Sequence, residues 1–242
     1  MAESTDNLVK AKSSSIHKAL TVSDSDDGNT EEYSNYEHPE QQSAQVVSYI
    51  YANDPNNLNR YLATLKSIEE VKEAVNARDS TGKSPLDIAA SLGRVKITKM
   101  LLACGARFDS FNSKGYTCLH HAAAWGHAPV LTILVECGGN IYKRTISGET
   151  PSDIAARYNM MDCVELLELT AAQSKMMLVI NQALEKLKDD RVNLSRISKE
   201  EKNLLLNACM ENREWLENSS PTSQEVKDRI FQFEQALQML FA

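Results

Sequence analysis

The chain has 242 residues, 42% of them hydrophobic and 24% charged, with a formal net charge of −7. The acidic excess is concentrated: residues 1–43 carry nine carboxylates against three lysines, which leaves residues 44–242 at a net −1. That near-neutral body, with no Lys/Arg cluster, argues against binding a nucleic-acid backbone or an anionic membrane, and the longest strongly apolar run, Met176–Ile180, is far short of the ~20 residues a membrane span needs.

The opening MAESTDNLVK lacks a basic leader followed by an apolar stretch, and the five cysteines are odd in number with no Cys-x-x-Cys pair. Both features point to free thiols in a reducing compartment. The expected location is cytoplasmic, with the nucleus or cytoskeleton-associated structures as further options. Residues 1–43 hold few large aliphatics, so they are expected to form a disordered acidic tail: the buried area would not offset an ordering entropy of ~1–2 kcal/mol per residue. Within it, Ser23-Asp-Ser-Asp-Asp27 has the composition of an acid-directed phosphorylation site at Ser23 or Ser25, although short acidic serine clusters are also common as plain solvated chain.

The body is dominated by a repeat. Gly82, Gly115 and Gly148 are 33 residues apart, as are Ala89-Ala90, Ala122-Ala123 and Ala155-Ala156; Gly93 matches Gly126, and Cys104-Gly105 matches Cys137-Gly138. Each unit reads as a turn and two helices. Ser84-Pro85 and Thr150-Pro151 put a hydroxyl N-cap before a proline at the first helical position, where its missing N–H costs nothing. The paired alanines keep the first helix thin, so that neighbours can stack. The second helix carries a buried stripe at i, i+3, i+4: Ile97, Met100, Leu101; Val130, Ile133, Leu134; Cys163, Leu166, Leu167.

This pattern resembles the ankyrin repeat, whose Thr-Pro-Leu-His-x-Ala core corresponds here to Thr117-Cys-Leu-His-His-Ala122, with Ser84-Pro-Leu-Asp-Ile-Ala89 and Thr150-Pro-Ser-Asp-Ile-Ala155 in the flanking units. Cys118 departs from the proline, and Asp87 and Asp153 from the histidine. Units are assigned to residues 79–111, 112–144 and 145–169. Because a repeat needs neighbours to cover its faces, residues 44–78 are expected to supply a degenerate first unit: Val46, Val47 and Ile50, then Leu58, Tyr61, Leu62 and Leu65, with about six extra residues within Lys66–Val75.

Beyond Leu169 the period is lost and a helical module over residues 170–242 is expected. Met177, Ile180, Leu184 and Leu187 continue a stripe up to a polar break at Lys188–Arg191. Ser198 with Glu201 and Thr222 with Glu225 read as capping boxes opening two further helices. The first helix gathers Leu205, Ala208, Cys209, Asn212, Trp215 and Leu216 on one face; the second spaces Val226, Ile230, Phe233, Leu237 and Leu240 by 4 and 3. Ile197-Ser-Lys-Glu-Glu-Lys202, Cys209, Trp215-Leu216 and Phe233-Glu-Gln235 are similar to the C-terminal helical lid of the seventy-kilodalton heat-shock chaperones. That resemblance implies a lid fold. It implies neither ATP hydrolysis nor client refolding, since nothing corresponds to the nucleotide-binding or peptide-binding domains, and the chain ends Met239-Leu-Phe-Ala242 rather than Glu-Glu-Val-Asp. The expected fold is all-α: an ankyrin-repeat solenoid of three to four repeats followed by a small helical bundle.

No catalytic constellation, cofactor motif or metal site is read. No Gly-rich phosphate loop follows a strand, and no Gly-x-Ser-x-Gly elbow is present. His120, His121, His127 and Cys118 fall in one unit, yet His120 and His127 match ankyrin positions that satisfy backbone groups, and the spacing fits no closed zinc site. Cys104, Cys137 and Cys163 read as small core hydrophobes. The ankyrin resemblance implies a non-enzymatic adaptor that grips a protein partner with its turn tips and first-helix face. Mapped onto this sequence, that surface takes in Lys83, Lys114, Tyr116 and Glu149 at the turns, and Leu92, Trp125, Arg157 and Tyr158 at the helix ends, several of them hot-spot residue types. The partner expected is a protein, neither nucleic acid nor membrane; a heat-shock chaperone engaged through the lid-like helices is the alternative.

Overall fold

The computed structural model describes residues 39–188 and 198–241; the acidic segment up to His38, with Ser23 and Ser25, and the polar stretch 189–197 lie outside the described residues. Eleven helices and no strand are found among the described residues, divided between two compact units that meet in sequence at Met160 and Met161.

The first unit holds α1 (Pro39–Ala52), α2 (Pro55–Thr64), α3 (Ile68–Asn76), α4 (Pro85–Ser91), α5 (Val95–Ala103), α6 (Cys118–Ala124), α7 (Ala128–Glu136) and α8 (Pro151–Arg157). Helices α1, α4, α6 and α8 pack in succession as one row, while α2, α5 and α7 form a second. The stacking works because Ala89, Ala90, Ala122, Ala123 and Ala155 are buried in the first row, with Ile97, Leu101, Val130, Ile133 and Leu134 behind them. Helices of seven residues are too short to persist alone, so caps and neighbours must hold them. Ser84 and Thr150 close capping boxes with Asp87 and Asp153. In front of α4, α6 and α8 a turn is organised by one side chain: Asp79 accepts the N–H groups of Thr81 and Lys83, Asn112 those of Lys114 and Tyr116, and Thr145 that of Glu149.

Two boundaries fall elsewhere than expected. Helix α1 begins at Pro39, inside the segment assigned to the tail, and buries Gln42 and Ser43 beside Val46 and Ile50. The extra residues placed within Lys66–Val75 are a further helix, α3, capped by Ser67 and burying Ala74 and Val75. Its last residue anchors the next repeat: the Asn76 amide donates to the Gly105 carbonyl (3.0 Å) and accepts from the Arg107 N–H (2.8 Å).

The second unit holds α9 (Met161–Lys188), α10 (Lys199–Asn218) and α11 (Ser223–Phe241), with α9 packed against both others. The expected division at Leu169 thus lies within α9. Met176, Val179, Ile180 and Ala183 meet Leu205, Cys209, Val226, Ile230 and Phe233 in one core, with Leu237 and Leu240 partly covered at its edge. Both expected capping boxes form: Ser198 and Thr222 accept from the N–H groups of Glu201 and Glu225, whose carboxylates accept in return. Asn212 is buried and joins α10 to α11, its Oδ1 accepting from the Arg229 Nε at 2.6 Å while that guanidinium lies 4.4 Å from the centre of the Trp215 ring.

Candidate partner-binding surface

The surface is built from the places the repeat core does not need. Helices α4, α6 and α8 end on Leu92, Trp125 and Tyr158 as C-caps, each followed by a residue of positive φ: Gly93 (+68°), Gly126 (+72°) and Asn159 (+58°). The two glycines are doubly required. A Cβ on Gly93 would lie 2.6 Å from the His127 ring, and one on Gly126 would lie 2.6 Å from the Met160 sulfur. The chain therefore reverses at the same register in every repeat, which brings the preceding residue to an equivalent place each time. Two large aromatics stand there exposed, Trp125 at 64% and Tyr158 at 53%, while Leu92 is half-buried. No ring contact joins Trp125 to Tyr158 among the described residues.

Around them the turn and helix side chains form a connected group. The Arg157 guanidinium pairs with the Glu149 carboxylate (3.1 Å), lies 5.1 Å from the Tyr158 ring centre and donates to the Tyr116 hydroxyl. These contacts, the Tyr116 hydrogen bond first, raise its pKa above the ordinary arginine value. The Tyr116 ring in turn lies tilted against those of His120 and His121, with centres 5.6 and 5.7 Å apart. Lys83 is half-buried and close enough to His121 to disfavour its charge; Lys114 is exposed. Of the expected residues, Arg157 touches Tyr116, Glu149 and Tyr158, Lys83 adjoins Tyr116 through His121, and Leu92 and Trp125 occupy the matching helix ends of the neighbouring repeats.

The histidines show what the middle repeat does differently. The His120 Nδ1 accepts from the Thr117 N–H (3.1 Å), so Nε2 carries the proton and donates to the Lys143 carbonyl (3.1 Å). His127 donates to the Ser91 carbonyl one repeat back at 3.0 Å. In the flanking repeats aspartate takes the place of His120 and draws an arginine: Arg78 reaches the Gly82 carbonyl and Asp87, and Arg144 reaches the Gly148 carbonyl and Asp153. In the middle repeat Phe111 stands where those arginines would be, capped by Lys143 at 4.5 Å. His121 is buried with no partner for Nε2, and burial, then Lys83, lowers its pKa to about 4. The Cys118 thiol donates to the Phe108 carbonyl, and its burial raises its pKa. Among the described residues no group of three or more His, Cys, Asp or Glu is placed to hold a metal ion.

Three further exposed residues were not singled out from sequence or were assigned otherwise. Phe111 (54%) and Tyr142 (58%) flank the turns, at positions outside the recurring core motif. Cys137, expected in the core, is exposed because it is the C-cap of α7, one residue past the helix and three past its last buried residue, Leu134.

The geometry of a turn and two stacked helices at a period of 33 is matched by two family models: ankyrin repeat over residues 81–113 and ankyrin repeats, three copies, over residues 104–176. Residues 81–176 are ankyrin repeats. The chain is similar to ankyrin repeat domain-containing protein 45 of Danio rerio, 30% identical over 107 residues that make up 44% of this chain and 48% of that protein. It is likewise similar to the Homo sapiens protein of that name, 30% identical over 155 residues, 64% of this chain and 58% of the relative. An ankyrin repeat-containing protein of Schizosaccharomyces pombe is 40% identical over 72 residues, 30% of this chain and 35% of the relative. The chain thus spans about half the length of the first two relatives. Ankyrin repeats are protein-interaction modules, and among the described residues no helix is long and apolar enough to cross a membrane.

Proposed function

We propose that this chain is a non-enzymatic adaptor that holds a protein partner on the inner face of its ankyrin repeats. The observation that carries the reading is the exposure of Trp125 and Tyr158 at equivalent helix ends, with Arg157, paired to Glu149, beside Tyr158. Aromatic and arginine side chains held rigid before binding lose little entropy on association, and such residues dominate interface energetics. Lys83, Lys114, Glu149 and Leu92 form the surrounding rim. The reading carries a cytoplasmic location with it.

The test is capture of partners from cells by the intact chain and by the Trp125→Ala/Tyr158→Ala variant, with identification by mass spectrometry. Loss of a partner with unchanged thermal stability supports the reading, at a cost of about 2 kcal/mol or more for a true hot spot. Retention of every partner by the double variant overturns it.

A second reading is regulation of a seventy-kilodalton heat-shock chaperone by the second unit, favoured by the exposed Leu204, Met210 and Phe231 on α10 and α11. Adding the chain to such a chaperone should change its ATPase rate or client release; no change at saturating concentration ends this reading.

A further inference from the structure

The second row of the repeat unit holds a cleft of its own. It is lined by Pro55, Asn56 and Asn59 of α2 and by Lys96 and Met100 of α5, and its volume is about 410 Å³. That falls within the ~300–1,000 Å³ of sites that take in a small group. Pro55 and Met100 supply apolar walls, while the Asn56 and Asn59 amides and the Lys96 ammonium supply hydrogen-bond donors. Those three side chains are exposed and engaged with nothing else among the described residues.

The charge around the cleft has one sign. Helices α2 and α5 contain Arg60, Lys96 and Lys99 and no Asp or Glu. Arg60 stands one turn from Asn56 and Lys99 one turn from Lys96, so both cations rim the opening. All three are exposed, and none enters an ion pair among the described residues. The carboxylate next to α2 in the chain, Asp54, is spent on its own cap: it accepts from the Asn57 N–H at 3.0 Å and from the Asn57 amide at 2.6 Å. The Asn57 backbone bond lowers its pKa more than the Arg60 charge does. Pro55, Asn56 and Lys96 are also first-turn residues, at helix ends that carry partial positive charge; α5 starts from Arg94, which makes no side-chain cap hydrogen bond.

We propose that this cleft is a docking site for an acidic peptide segment of a partner protein. One carboxylate enters between Lys96 and the Asn56 and Asn59 amides, with its methylenes against Met100 and Pro55, and the neighbouring carboxylates of the peptide lie on Arg60 and Lys99. The site stands on α2 and α5, whereas Trp125 and Tyr158 belong to the other row, so the inference does not rest on the inner-face reading. Each exposed ion pair is weak and screened by salt; the fit comes from three cations, two amides and an apolar wall meeting in one cleft with no carboxylate of α2 or α5 to compete.

The experiment titrates the full chain with a labelled hexaglutamate peptide, followed by fluorescence anisotropy at low salt, and maps the unlabelled peptide by amide chemical shifts. The shifts should centre on Asn56, Asn59 and Lys96. Lys96→Glu/Lys99→Glu should weaken binding about tenfold or more, and Lys96→Gln, which keeps the length of the side chain should charge reversal disturb α5, about threefold. Trp125→Ala/Tyr158→Ala should bind the peptide as the unaltered chain does, which keeps this outcome separate from that of the inner face. No binding, shifts centred on the inner row, or binding unchanged by loss of the Lys96 charge overturns the proposal. Shifts produced by inorganic phosphate and not by the peptide would mean a small-anion site only, and equal affinity for a labelled hexauridylate would mean a nucleic-acid site; either result overturns it too.

Discussion

The two units solve the same problem of burying helices by opposite means. From α3 to α8 the repeat unit uses helices of seven to nine residues whose ends are closed by capping boxes, by turn side chains and by His127 reaching across repeats. The second unit uses helices of 28, 20 and 19 residues along one apolar seam, with a part-buried polar link at Asn212–Arg229. Short helices cannot supply their own hydrogen-bond closure, so in the repeats polar satisfaction becomes a tertiary matter and every position near a helix end is constrained. The exceptions are the C-cap side chains Trp125 and Tyr158, which stand more than half exposed and are therefore open to selection for binding.

If the second unit depends on its seam, truncating the centre of that seam should be the costliest single change. Ile180→Ala removes a side chain that is fully buried, and about 3–4 kcal/mol of stability should be lost in urea unfolding of the full chain. A loss below about 1 kcal/mol would mean that the long helices repack freely, and the contrast with the repeats would then be one of length alone.

The next effect belongs to the repeat unit, which contains all the described histidines. His121 in the folded chain stays neutral down to about pH 4, while the unfolded imidazole takes up its proton near 6.5. The unfolded state therefore binds more protons across that window, and stability falls as the pH drops through it, by at most about 3 kcal/mol. His120, lowered by its own burial, acts in the same direction. Melting temperatures of the chain and of His121→Leu between those pH values provide the check: the variant should show the shallower slope, and equal slopes would remove His121 as the source.

Much of the repeat fold was legible because its constraints recur. Paired alanines, turn glycines and the Ser/Thr-Pro caps each reappear at the same period, whereas Trp125, Arg157 and Tyr158 entered only as what the ankyrin resemblance implies. Helix α3 was not legible in this way. Ile68, Val71 and Val75 carry a helical spacing behind the Ser67 cap, but no other repeat has a counterpart, so the segment read as an insertion. The start of α1 was hidden for a different reason: Gln42 and Ser43 are polar, and only packing against the neighbouring helices buries them. Likewise, the substitution of His120 for aspartate looked like the loss or gain of a consensus residue, whereas the structure shows it exchanged together with Phe111 for the Arg78–Asp87 and Arg144–Asp153 pairs. Such coupled exchanges across nine residues have no signature in local periodicity.

A smaller effect tests whether register in the repeats is enforced by contact as well as by backbone conformation. Gly93→Ala places a methyl group against the His127 ring at a positive φ, and the expected cost is about 2 kcal/mol by thermal unfolding. Pairing it with His127→Ala should recover part of that loss by removing the clash; no recovery would assign the whole cost to the backbone.

The smallest effects put one chemical device in both settings. Ser84 and Ser198 each accept from the N–H three residues on, at 3.2 Å in both cases, and each box is completed by an acidic side chain. Ser84 is buried at the head of a seven-residue helix, so Ser84→Ala strands the Asp87 N–H away from water and should cost about 2 kcal/mol. Ser198 is exposed at the head of a 20-residue helix, where water can replace the hydroxyl, and Ser198→Ala should cost about 0.5 kcal/mol. Urea unfolding of the two variants side by side measures the difference directly. Equal costs would show that a cap contributes the same whatever the length and burial of its helix, and the repeats would then owe their order to apolar stacking alone.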